Sequence, residues 1–354
     1  MSSRHALWVS TSMETRGGVA AYVRTMQRTP LWDLWHIRHV ATHRNGSAIT
    51  RVTAFITGAG SFVRELVVRR PAVIHLHMST HGSFARKSTL AWISRCAGVP
   101  VVIHVHGGGF NDFYFRSPRL LQHYIRVTLE GADAVIALGE TWAGALRQIA
   151  AGARIVVVSN AVEPRTPVDQ PGPGGQVHVL FLGDIEDHKG AFLLLDAWSQ
   201  LAKGSFPGGA DLVMAGGGAV ARAQNRTEEL GIADQVQVMG WVAPAQVESL
   251  VSDSHVLVLP STFEGQPMAV LEAMAHGLCV VATNVGGIPD LVGDCGVLLP
   301  VGDLASLVDA LRQVISDTEH RANLGSLGFR RVQQRFDVNH TWRALDSLYE
   351  ELTR

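Results

Sequence analysis

Short apolar runs alternate with longer amphipathic stretches along most of the chain, and the alternation is clear before residue 163. The apolar runs predict strands at residues 5–10, 36–41, 73–77, 101–105, 134–138 and 154–158. The amphipathic stretches predict helices at residues 19–28, 49–69, 119–130 and 141–150. Strands that alternate with helices indicate βαβ units and a parallel sheet covered on both faces.

A second series of the same kind begins after residue 175. It predicts strands at residues 177–182, 212–215, 236–239, 256–259, 280–282 and 297–299. It predicts helices at residues 191–202, 220–230, 246–252, 268–276 and 304–316, and a last helical stretch at 338–354. Between the two series, residues 163–175 contain four prolines and three glycines. Proline breaks helices and central strands, so this segment is predicted to be a linker.

This organisation predicts an α/β protein with two Rossmann-like domains that face each other across a cleft. The domains are predicted at residues 1–162 and 176–335, with the linker at 163–175 between them and a C-terminal helix in 336–354. Ligands of open α/β sheets bind outside the carboxyl ends of the strands. The residues that follow each strand are therefore the candidates for chemistry.

The composition indicates a folded protein of a reducing compartment. The 354 residues are 47% hydrophobic and 17% charged, which is enough apolar material for packed cores. The three cysteines, Cys96, Cys279 and Cys295, lack the CxxC spacing of a zinc site. The first residues do not read as a secretion signal, and no apolar run is long enough to span a membrane. A cytoplasmic location is therefore expected.

The net charge of −1 hides an uneven distribution. Residues 1–160 contain 18 lysines and arginines against 7 acidic residues, whereas residues 161–354 contain 12 against 24. A basic first part indicates an anionic partner, for which nucleic acid and an acidic membrane surface are the usual candidates. A solvated basic face without a partner is the alternative.

The most informative segment is residues 259–276, which read LPSTFEGQPMAVLEAMAH. A strand ends at Leu259, a polar turn carries Glu264, and a helix follows Pro267. The N–H groups at the start of such a helix favour a phosphate. Glu264 and Glu272 can each accept hydrogen bonds from ligand hydroxyls. Taken singly, each glutamate could equally be an ordinary cap or surface residue.

The whole pattern FEGxPMxxxEAMAxG resembles the E-x7-E motif of the family 4 glycosyltransferases, which have the GT-B architecture. The resemblance implies a retaining transfer from a nucleotide sugar, linked to UDP or GDP, without a cofactor and without a metal. It implies that Glu264 faces the donor sugar and that Glu272 holds the ribose. It further implies that the C-terminal helix crosses back to the first domain. Backbone groups that would line the sugar and the diphosphate belong to Gly265, Gln266, Pro267 and Met268.

Residues 179–190, VLFLGDIEDHKG, resemble the strand and loop that usually read GR…KG in this family. The arginine and lysine of that loop clamp the diphosphate, and Lys189 matches the lysine. Asp184 occupies the arginine position and would repel a diphosphate unless it turns away or pairs with Lys189. His188 or Arg16 is then expected to supply the missing positive charge.

Two segments of the first domain resemble the same family. Gly17 and Gly18 follow the first strand, as does the family's glycine loop, which approaches the donor phosphates and the acceptor. The run VVIHVHGGG places His106 where the family has a histidine that contacts the donor sugar, although a buried structural histidine is the alternative.

Three further histidines lie near strand ends, and a histidine metal cluster is conceivable because imidazole is a common metal ligand. No carboxylate or cysteine accompanies His104 and His106 in their strand, and the resemblance implies a metal-free reaction. No metal site is therefore predicted. The other two histidines of this group are His75 and His77.

The runs LHMSTHGSFARKS and HVHGGGF resemble enzymes that build exopolysaccharide or capsule repeat units on a lipid diphosphate. A basic face would attract such an acceptor to an anionic membrane, which predicts peripheral association without insertion and no nucleic-acid partner. Trp32 and Trp35 would anchor at the interface unless they pack in the core. The basic candidates are Arg64, Arg69, Arg70, Arg86, Lys87 and Arg95.

Three other functions stay open. Residues 212–221 contain a G-x-G-x-x-A pattern of nicotinamide enzymes at Gly216, Gly218 and Ala221, although it follows the second strand of its domain. Asp184 would fit a non-catalytic nucleotide-sugar-binding protein or a degenerate transferase. A sugar-nucleotide epimerase of the same architecture would interconvert donors without an acceptor.

Overall fold

The computed structural model describes residues 5–202 and 208–354 and divides into two compact units. The first unit comprises Met1–Ala161 together with Val338–Arg354, and the second comprises Val162–Asp337. Each unit is built on a parallel six-stranded sheet with helices between the strands. The predicted α/β class is confirmed.

The sheet of the first unit has the strand order β2-β1-β3-β4-β5-β6. All residues of β1, β3, β4 and β5 are buried, as expected for parallel strands covered on both faces. The order reverses between β1 and β3, so the carboxyl ends of these two strands form a topological switch point. The strands are β1 (Ala6–Ser10), β2 (Arg38–Ala41), β3 (Val73–Met78), β4 (Val101–Val105), β5 (Ala134–Ala137) and β6 (Ile155–Val157).

The helices that follow these strands include three that the sequence pattern did not predict. Two of the three are short, and the third distributes charged and apolar residues around its circumference with little separation into faces. The helices are α1 (Gly18–Gln27), the unpredicted α2 (Pro30–Leu34), α3 (Ala48–Val68), the unpredicted α4 (His81–Cys96) and α5 (Phe110–Arg116), α6 (Arg119–Glu130) and α7 (Glu140–Ile149).

The sheet of the second unit has the strand order β12-β11-β10-β7-β8-β9. Its first strand, β7, lies between β10 and β8, so the switch point falls between β7 and β10. The strands are β7 (Val177–Leu182), β8 (Ala210–Ala215), β9 (Val236–Met239), β10 (Val256–Leu259), β11 (Cys279–Thr283) and β12 (Val297–Leu299).

Two helices of the second unit, α12 and α14, were also not predicted. Gly325 lowers the helix propensity of α14, but a Cβ at this position would lie 2.1 Å from the carbonyl oxygen of Gly277, so the packing requires glycine. The helices are α8 (Ala191–Leu201), α9 (Val220–Glu229), α10 (Pro244–Ser252), α11 (Met268–Ala275), α12 (Ile288–Val292), α13 (Leu304–Ser316) and α14 (Thr318–Arg331), with α15 (Val338–Leu352) belonging to the first unit.

Residues 163–175, predicted to be a linker, lie within the second unit and are fastened to it. The backbone N–H of Val168 donates to the carbonyl of His276 at 2.8 Å. The buried guanidinium of Arg321 donates to Gln170 Oε1 at 2.9 Å. The prolines prevent regular structure as expected, but hydrogen bonds to neighbouring elements hold the segment in place.

Helix α15 completes the core of the first unit. The hydroxyl of Tyr349 accepts a hydrogen bond from Trp8 Nε1 at 3.0 Å, and both side chains are fully buried. Trp35 Nε1 donates to Asp346 Oδ1 at 2.7 Å, and Trp32 packs edge-on against Trp8 at 5.5 Å between ring centroids. Trp35 is therefore a core residue and Trp32 packs partly buried against the same core, so the packing alternative to membrane anchoring describes both indoles.

Candidate active site

The residues of the second unit that were predicted to carry chemistry meet at its switch point. The loop that leads to Lys189 follows β7, and the turn with Glu264 follows β10. Because these strands are parallel neighbours, their carboxyl ends lie side by side. Open α/β sheets bind their ligands at this place.

Lys189 and Glu264 form an ion pair with 2.6 Å between Nζ and Oε1. The same carboxylate oxygen accepts a hydrogen bond from Ser261 Oγ at 2.8 Å. Glu264 is only 7% exposed, so it is not a surface residue. Within the described residues its Oε2 has no hydrogen-bond partner. One oxygen is thus held by the protein, and the other can accept a ligand hydroxyl.

Backbone contacts fix the lysine loop beside this turn. The N–H of Thr262 donates to the carbonyl of His188 at 2.8 Å. Gly190 has a φ of 72°, and a Cβ there would lie 2.1 Å from the carbonyl oxygen of Pro260. Only glycine allows this approach. The position of Lys189 relative to Glu264 is therefore set by the backbone.

Asp184 is exposed and does not pair with Lys189, whose ammonium group binds Glu264. In the described part of the chain, no hydrogen bond or ion pair reaches the Asp184 carboxylate. The suggested Asp184–Lys189 pair is therefore wrong. His188, one of the two expected sources of replacement charge, stacks on Phe263 with 5.2 Å between ring centroids.

Helix α11 begins at Met268, directly after Pro267 at its N-cap. Proline offers no side-chain acceptor, so the N–H groups of the first turn are not capped by a side chain. Glu272 lies one turn further along the same helix and is half-buried. The helix start and the second glutamate thus follow the same strand end as Glu264.

The turn before α11 is tied to the glycine loop after β11. The carbonyl of Gly265 accepts a hydrogen bond from Gly287 N at 2.8 Å, and Gln266 is 5% exposed. This contact places residues 285–291, which follow β11, next to the segment predicted to line a diphosphate.

The glycines of the G-x-G-x-x-A pattern have a packing role. A Cβ at Gly216 would lie 1.7 Å from the carbonyl oxygen of Gly183. Gly218 has a φ of 94°, and Ile185 N donates to the carbonyl of Gly217 at 2.7 Å. These glycines let the loop after β8 lie against the loop after β7. The pattern is explained without a nicotinamide dinucleotide.

In the first unit, Gly17 and Gly18 lie where β1 leads into α1. Gly17 has a φ of 109° and serves as the N-cap of α1, and no atom lies within 4 Å of a Cβ built on it. Arg16 is exposed at the same turn. The turn is therefore strained for any other residue and open on its outer side.

His106 forms an imidazole pair with His77, with 2.8 Å between His106 Nε2 and His77 Nδ1. Desolvation of the ring lowers the pKa of His106 to about 3, so the ring is neutral at physiological pH. Among the described residues, His106 Nδ1 has no hydrogen-bond partner. Tyr22 of α1 packs against the ring at 5.3 Å between centroids.

His75 and His104 form a second imidazole pair, with 3.1 Å between His75 Nε2 and His104 Nδ1. His75 Nδ1 also hydrogen-bonds the hydroxyl of Tyr349. Burial keeps the pKa of both imidazoles well below the usual range. Ligand nitrogens of His75, His77 and His104 lie within 4.8 Å of one another, a spacing that a metal ion could bridge. The metal-free reaction remains a prediction.

The six basic residues expected on a membrane-facing surface differ in their exposure to solvent. Lys87 is only 2% exposed, so the prediction that it faces a membrane is wrong. Helical position decides this, because Lys87 lies on the face of α4 that turns inward. Arg86 is half-buried, and Arg64, Arg69, Arg70 and Arg95 are exposed. No helix in the described ranges is long and apolar enough to cross a membrane.

Helix α3 carries an apolar face that the first unit leaves exposed. The side chains recur at three, four and seven residues and thus share one side of the helix. Gly58, on the opposite side, packs against β2, where a Cβ would lie 2.3 Å from the carbonyl oxygen of Ala41. The exposed residues and their exposed fractions are Ile49 77%, Val52 57%, Ile56 63%, Val63 44% and Val67 75%.

Two contributors to the site were missed in the sequence. Ser261 holds Glu264, and its position three residues earlier in a polar turn is a signal that could have been used. His77 hydrogen-bonds His106. In the sequence, His77 lies two residues after His75 on the same face of β3, and this spacing does not indicate a pair with a residue beyond β4.

Two family descriptions together match most of the chain. "Glycosyl transferase 4-like domain" matches residues 5–161, and "Glycosyl transferases group 1" matches residues 162–331. The division between them coincides with the boundary of the two structural units.

Three curated relatives are similar in sequence. The D-inositol 3-phosphate glycosyltransferase of Corynebacterium diphtheriae is 29% identical over 57% of this chain and 49% of its own length. WcaL of Escherichia coli K12, named for colanic acid biosynthesis, is 26% identical over 69% of this chain and 63% of its own length. The chain thus spans about half to two thirds of these two proteins. An Escherichia coli UDP-Gal:alpha-D-GlcNAc-diphosphoundecaprenol alpha-1,3-galactosyltransferase is 24% identical over 77% of this chain and 73% of its own length.

Solved structures share the fold at low sequence identity. Sucrose-phosphate synthase from Thermosynechococcus elongatus superposes with a TM-score of 0.83 at 19% identity, with 99% of each chain covered. HepE from Anabaena, solved with UDP and glucose, superposes with a TM-score of 0.72 at 19% identity over 98% of this chain and 100% of that chain. With both units matched to glycosyltransferase domains, the chain belongs to the glycosyltransferases of the family 4, group 1 type with the GT-B fold.

Proposed function

We propose that the chain transfers a sugar from a nucleotide-diphosphate sugar, linked to UDP or GDP, to a glycan or lipid-linked acceptor. The observation that carries the proposal is the Lys189–Glu264 pair beside the start of α11 at the switch point of the second sheet. A cation and a helix N-terminus suit a diphosphate, and carboxylates suit sugar and ribose hydroxyls.

The donor is assigned to the second unit. Lys189 and the first turn of α11 bind the diphosphate, and Glu272 holds the ribose. The backbone from Gly265 to Met268 lines the sugar and the phosphates. Glu264 accepts a sugar hydroxyl on Oε2 while Lys189 and Ser261 hold its other oxygen.

The reaction is proposed to retain the anomeric configuration by transfer on one face of the sugar. The bond from the anomeric carbon to the phosphate oxygen breaks while the acceptor oxygen bonds to the same face. The leaving phosphate oxygen takes the proton of the acceptor hydroxyl. Lys189 stabilises the negative charge that develops on the diphosphate, and neither a metal nor a cofactor is required.

We assign three parts of the first unit to the substrates: His106, the Gly17–Gly18 turn and Arg16. His106 is uncharged, so its free Nδ1 can hydrogen-bond a sugar hydroxyl without adding charge. Gly17 and Gly18 offer an open turn to the donor phosphates and the acceptor, and Arg16 adds the charge that Asp184 does not supply.

A lipid-diphosphate acceptor in exopolysaccharide or capsule assembly is the favoured acceptor class. Its support is the run LHMSTHGSFARKS and the two relatives named for colanic acid biosynthesis and for a diphosphoundecaprenol acceptor. The exposed apolar face of α3, with Arg64 next to Val63 on the same helix, suits peripheral attachment to an anionic membrane surface on its cytoplasmic side.

A non-catalytic nucleotide-sugar-binding protein is the second candidate, favoured by a single observation. Asp184 stands where the family carries an arginine, and no cation of the described residues neutralises it. Such a protein would bind the donor nucleotide and transfer nothing.

The decisive experiment combines binding and turnover. Thermal shift is measured with UDP, GDP and ADP and their sugar conjugates, because a ligand at about 100 times its Kd stabilises the fold by roughly 2.7 kcal/mol. Glu272→Ala should abolish the shift, whereas Glu228→Ala, at an exposed carboxylate of α9, should leave it intact.

Turnover is then measured as release of the nucleotide with a lipid-diphosphate-linked sugar as acceptor, and NMR gives the anomeric configuration of the product. Binding without release under all acceptors would favour the binding protein. An inverted product would refute the retaining mechanism, and no nucleotide shift at all would refute the donor site.

A further inference from the structure

Lys87 carries an ammonium group inside the first unit without a counterion. It lies on α4 and is 2% exposed. In the described part of the chain, no hydrogen bond or ion pair reaches its Nζ. Burying a charge without a partner is costly, and folded proteins ordinarily pair such groups. Retaining this lysine inside the unit therefore requires a reason other than stability.

The groups around Lys87 are basic as well. Arg86, the preceding residue, has a buried Nε without a hydrogen bond, and its Nη1 lies 3.2 Å from a Cβ built on Gly82 in the first turn of α4. Burial lowers the pKa of His39 and of His43, and the charge of Lys87 lowers both pKa values further. Arg86 and Arg51 of α3 also lower the pKa of His43.

Within the described residues, no ion pair joins a carboxylate to Lys87, Arg86 or Arg51. The charged groups that act on the pKa of Lys87, Arg86, His39 and His43 are all basic. Glu65 of α3 is engaged elsewhere, in ion pairs with Arg38 and Arg69. The cluster therefore has no anionic partner among the described residues.

The cluster lies where ligands of such sheets bind. Ser10 ends β1 and hydrogen-bonds His39 at 2.7 Å, and Thr11 hydrogen-bonds His43 just after β2. Helix α4 begins directly after β3. The ends of β1 and β3 form the switch point of the first sheet. The N-cap of α4, Thr80, makes no side-chain cap hydrogen bond.

We propose that Lys87 and Arg86, with Arg51 and His43, bind a phosphate group of the acceptor. The proposal rests on the transferase function and names the chemical class of its acceptor, a sugar carried on a phosphate or diphosphate. Lysine and arginine side chains are ordinary protein ligands of a phosphate group.

Arg51 belongs to α3 and lies seven residues before Gly58, so both residues share the side of the helix that faces β2. The exposed apolar face with Ile49, Val52 and Ile56 lies on the other side of the helix. A lipid phosphate and a soluble sugar phosphate share the phosphate chemistry, and the second arm of the test distinguishes them.

The test uses inorganic pyrophosphate as the probe, measured by isothermal titration in the full chain. Because pyrophosphate can also enter the donor site, the titrations use the Lys189→Met background. Lys87→Met and Arg86→Gln are each expected to weaken the remaining affinity by about 10- to 100-fold. Arg95→Gln, at an exposed position of the same helix, is the matched control and should change nothing.

A second arm identifies the source of the phosphate. Wild-type protein is mixed with phosphatidylcholine vesicles that contain or lack phosphatidic acid, and flotation is compared with that of Lys87→Met. Binding that requires both phosphatidic acid and Lys87 supports a lipid acceptor. Pyrophosphate binding that requires Lys87 without such flotation supports a soluble phosphate acceptor.

The proposal is overturned if both Lys87→Met and Arg86→Gln bind pyrophosphate as the Lys189→Met parent does. Should Lys87→Met fail to fold, Arg86→Gln alone decides the matter. With Lys189 intact, both variants must keep the thermal shift with donor nucleotide. If wild-type protein shows no thermal shift with any donor nucleotide, the donor site is refuted instead. Failure of the phosphate proposal and failure of the donor site are therefore distinguishable.

Discussion

Lys189 Nζ lies 2.6 Å from Glu264 Oε1, so the residue assigned to the diphosphate and the residue assigned to the sugar form one hydrogen-bonded unit. A change in either side chain must therefore affect the other. Lys189→Met removes the positive charge and leaves a buried glutamate without its cation. We expect nucleotide-sugar turnover to fall by about 100- to 1,000-fold.

The measurement is initial-rate nucleotide release, with Glu264→Gln and the double variant completing a mutant cycle. If the two residues act as a unit, the double variant loses little more than Lys189→Met alone. Fully additive losses would contradict this coupling. Arg222→Gln serves as the control, because Arg222 forms an exposed ion pair with Asp187 and is not part of the Lys189–Glu264 pair.

Ser261 acts through Glu264 as a positioning residue. Ser261→Ala removes one neutral-to-charged hydrogen bond, worth about 1.5–3 kcal/mol, without removing a group that touches the substrate. We expect a moderate rise in KM for the donor sugar, and Ser261→Thr should restore the wild-type value. Equal loss in both variants would indicate a packing defect at Ser261 instead.

The His77–His106 pair predicts a distinctive pH behaviour. Because desolvation lowers the pKa of His106 to about 3, the ring stays neutral above that value. The rate should therefore show no inflection from His106 between pH 5.5 and 8.5. His77→Val should lower kcat by about 10- to 100-fold through misplacement of the His106 ring, and His77→Asn, which keeps a hydrogen-bonding group, should lose less. An inflection near pH 6.5 in the rate of the wild-type protein that comes from His106 would contradict the prediction.

Lys87 links the stability of the first unit to pH. Desolvation lowers the pKa of Lys87 from 10.5 to about 7, so between these values the unfolded chain binds more protons than the folded one. Stability relative to Lys87→Met then rises with pH across this window, by up to about 1.4 kcal/mol per pH unit. The titratable and charged groups near Lys87 are His39, His43, Arg51 and Arg86. Wild type and Lys87→Met share all four, so these groups do not cause the difference.

Melting temperatures of wild type and Lys87→Met, compared from pH 6.5 to 9.5, check this expectation. The variant should be the more stable protein at pH 7, and its advantage should shrink as pH rises. Saturating pyrophosphate should reduce the advantage at pH 7. A variant that is less stable at every pH would show that the ammonium group has a partner.

Metal removal is expected to leave activity unchanged. The imidazoles of His75, His77 and His104 are close enough to share an ion, but His75 pairs with His104 and His77 pairs with His106. Extensive dialysis against a chelator, followed by rate measurement and metal analysis, tests this. Loss of rate that zinc or another divalent ion restores would assign a metal to the histidine cluster.

The sequence was sufficient to predict the two sheets and to bring the candidate residues of the second unit to one strand end. The apolar runs of parallel strands are buried on both faces and are therefore nearly continuous, which makes them easy to recognise. Glu264, Pro267 and Glu272 follow one strand end in a single short segment, and local spacing alone brings them together. Lys189 joins them because β7 and β10 are neighbours at the switch point.

The remaining features depend on packing that local sequence does not reveal. Helix α4 separates apolar from charged residues too weakly to be recognised, and so the burial of Lys87 could not be foreseen. Trp35 and Asp346 are 311 residues apart in the chain, and no local pattern joins them. The pairing of His77 with His106 depends on the register of β3 against β4.

The position of α15 has a consequence for how the chain is made. The ribosome synthesises the strands of the first unit early, but Trp8, Trp35 and His75 find their partners only in residues 346–349. The second unit is complete in sequence by Asp337, before those residues emerge. The first unit therefore keeps an open apolar face until residues 346–349 have been synthesised, whereas the second unit does not wait for them.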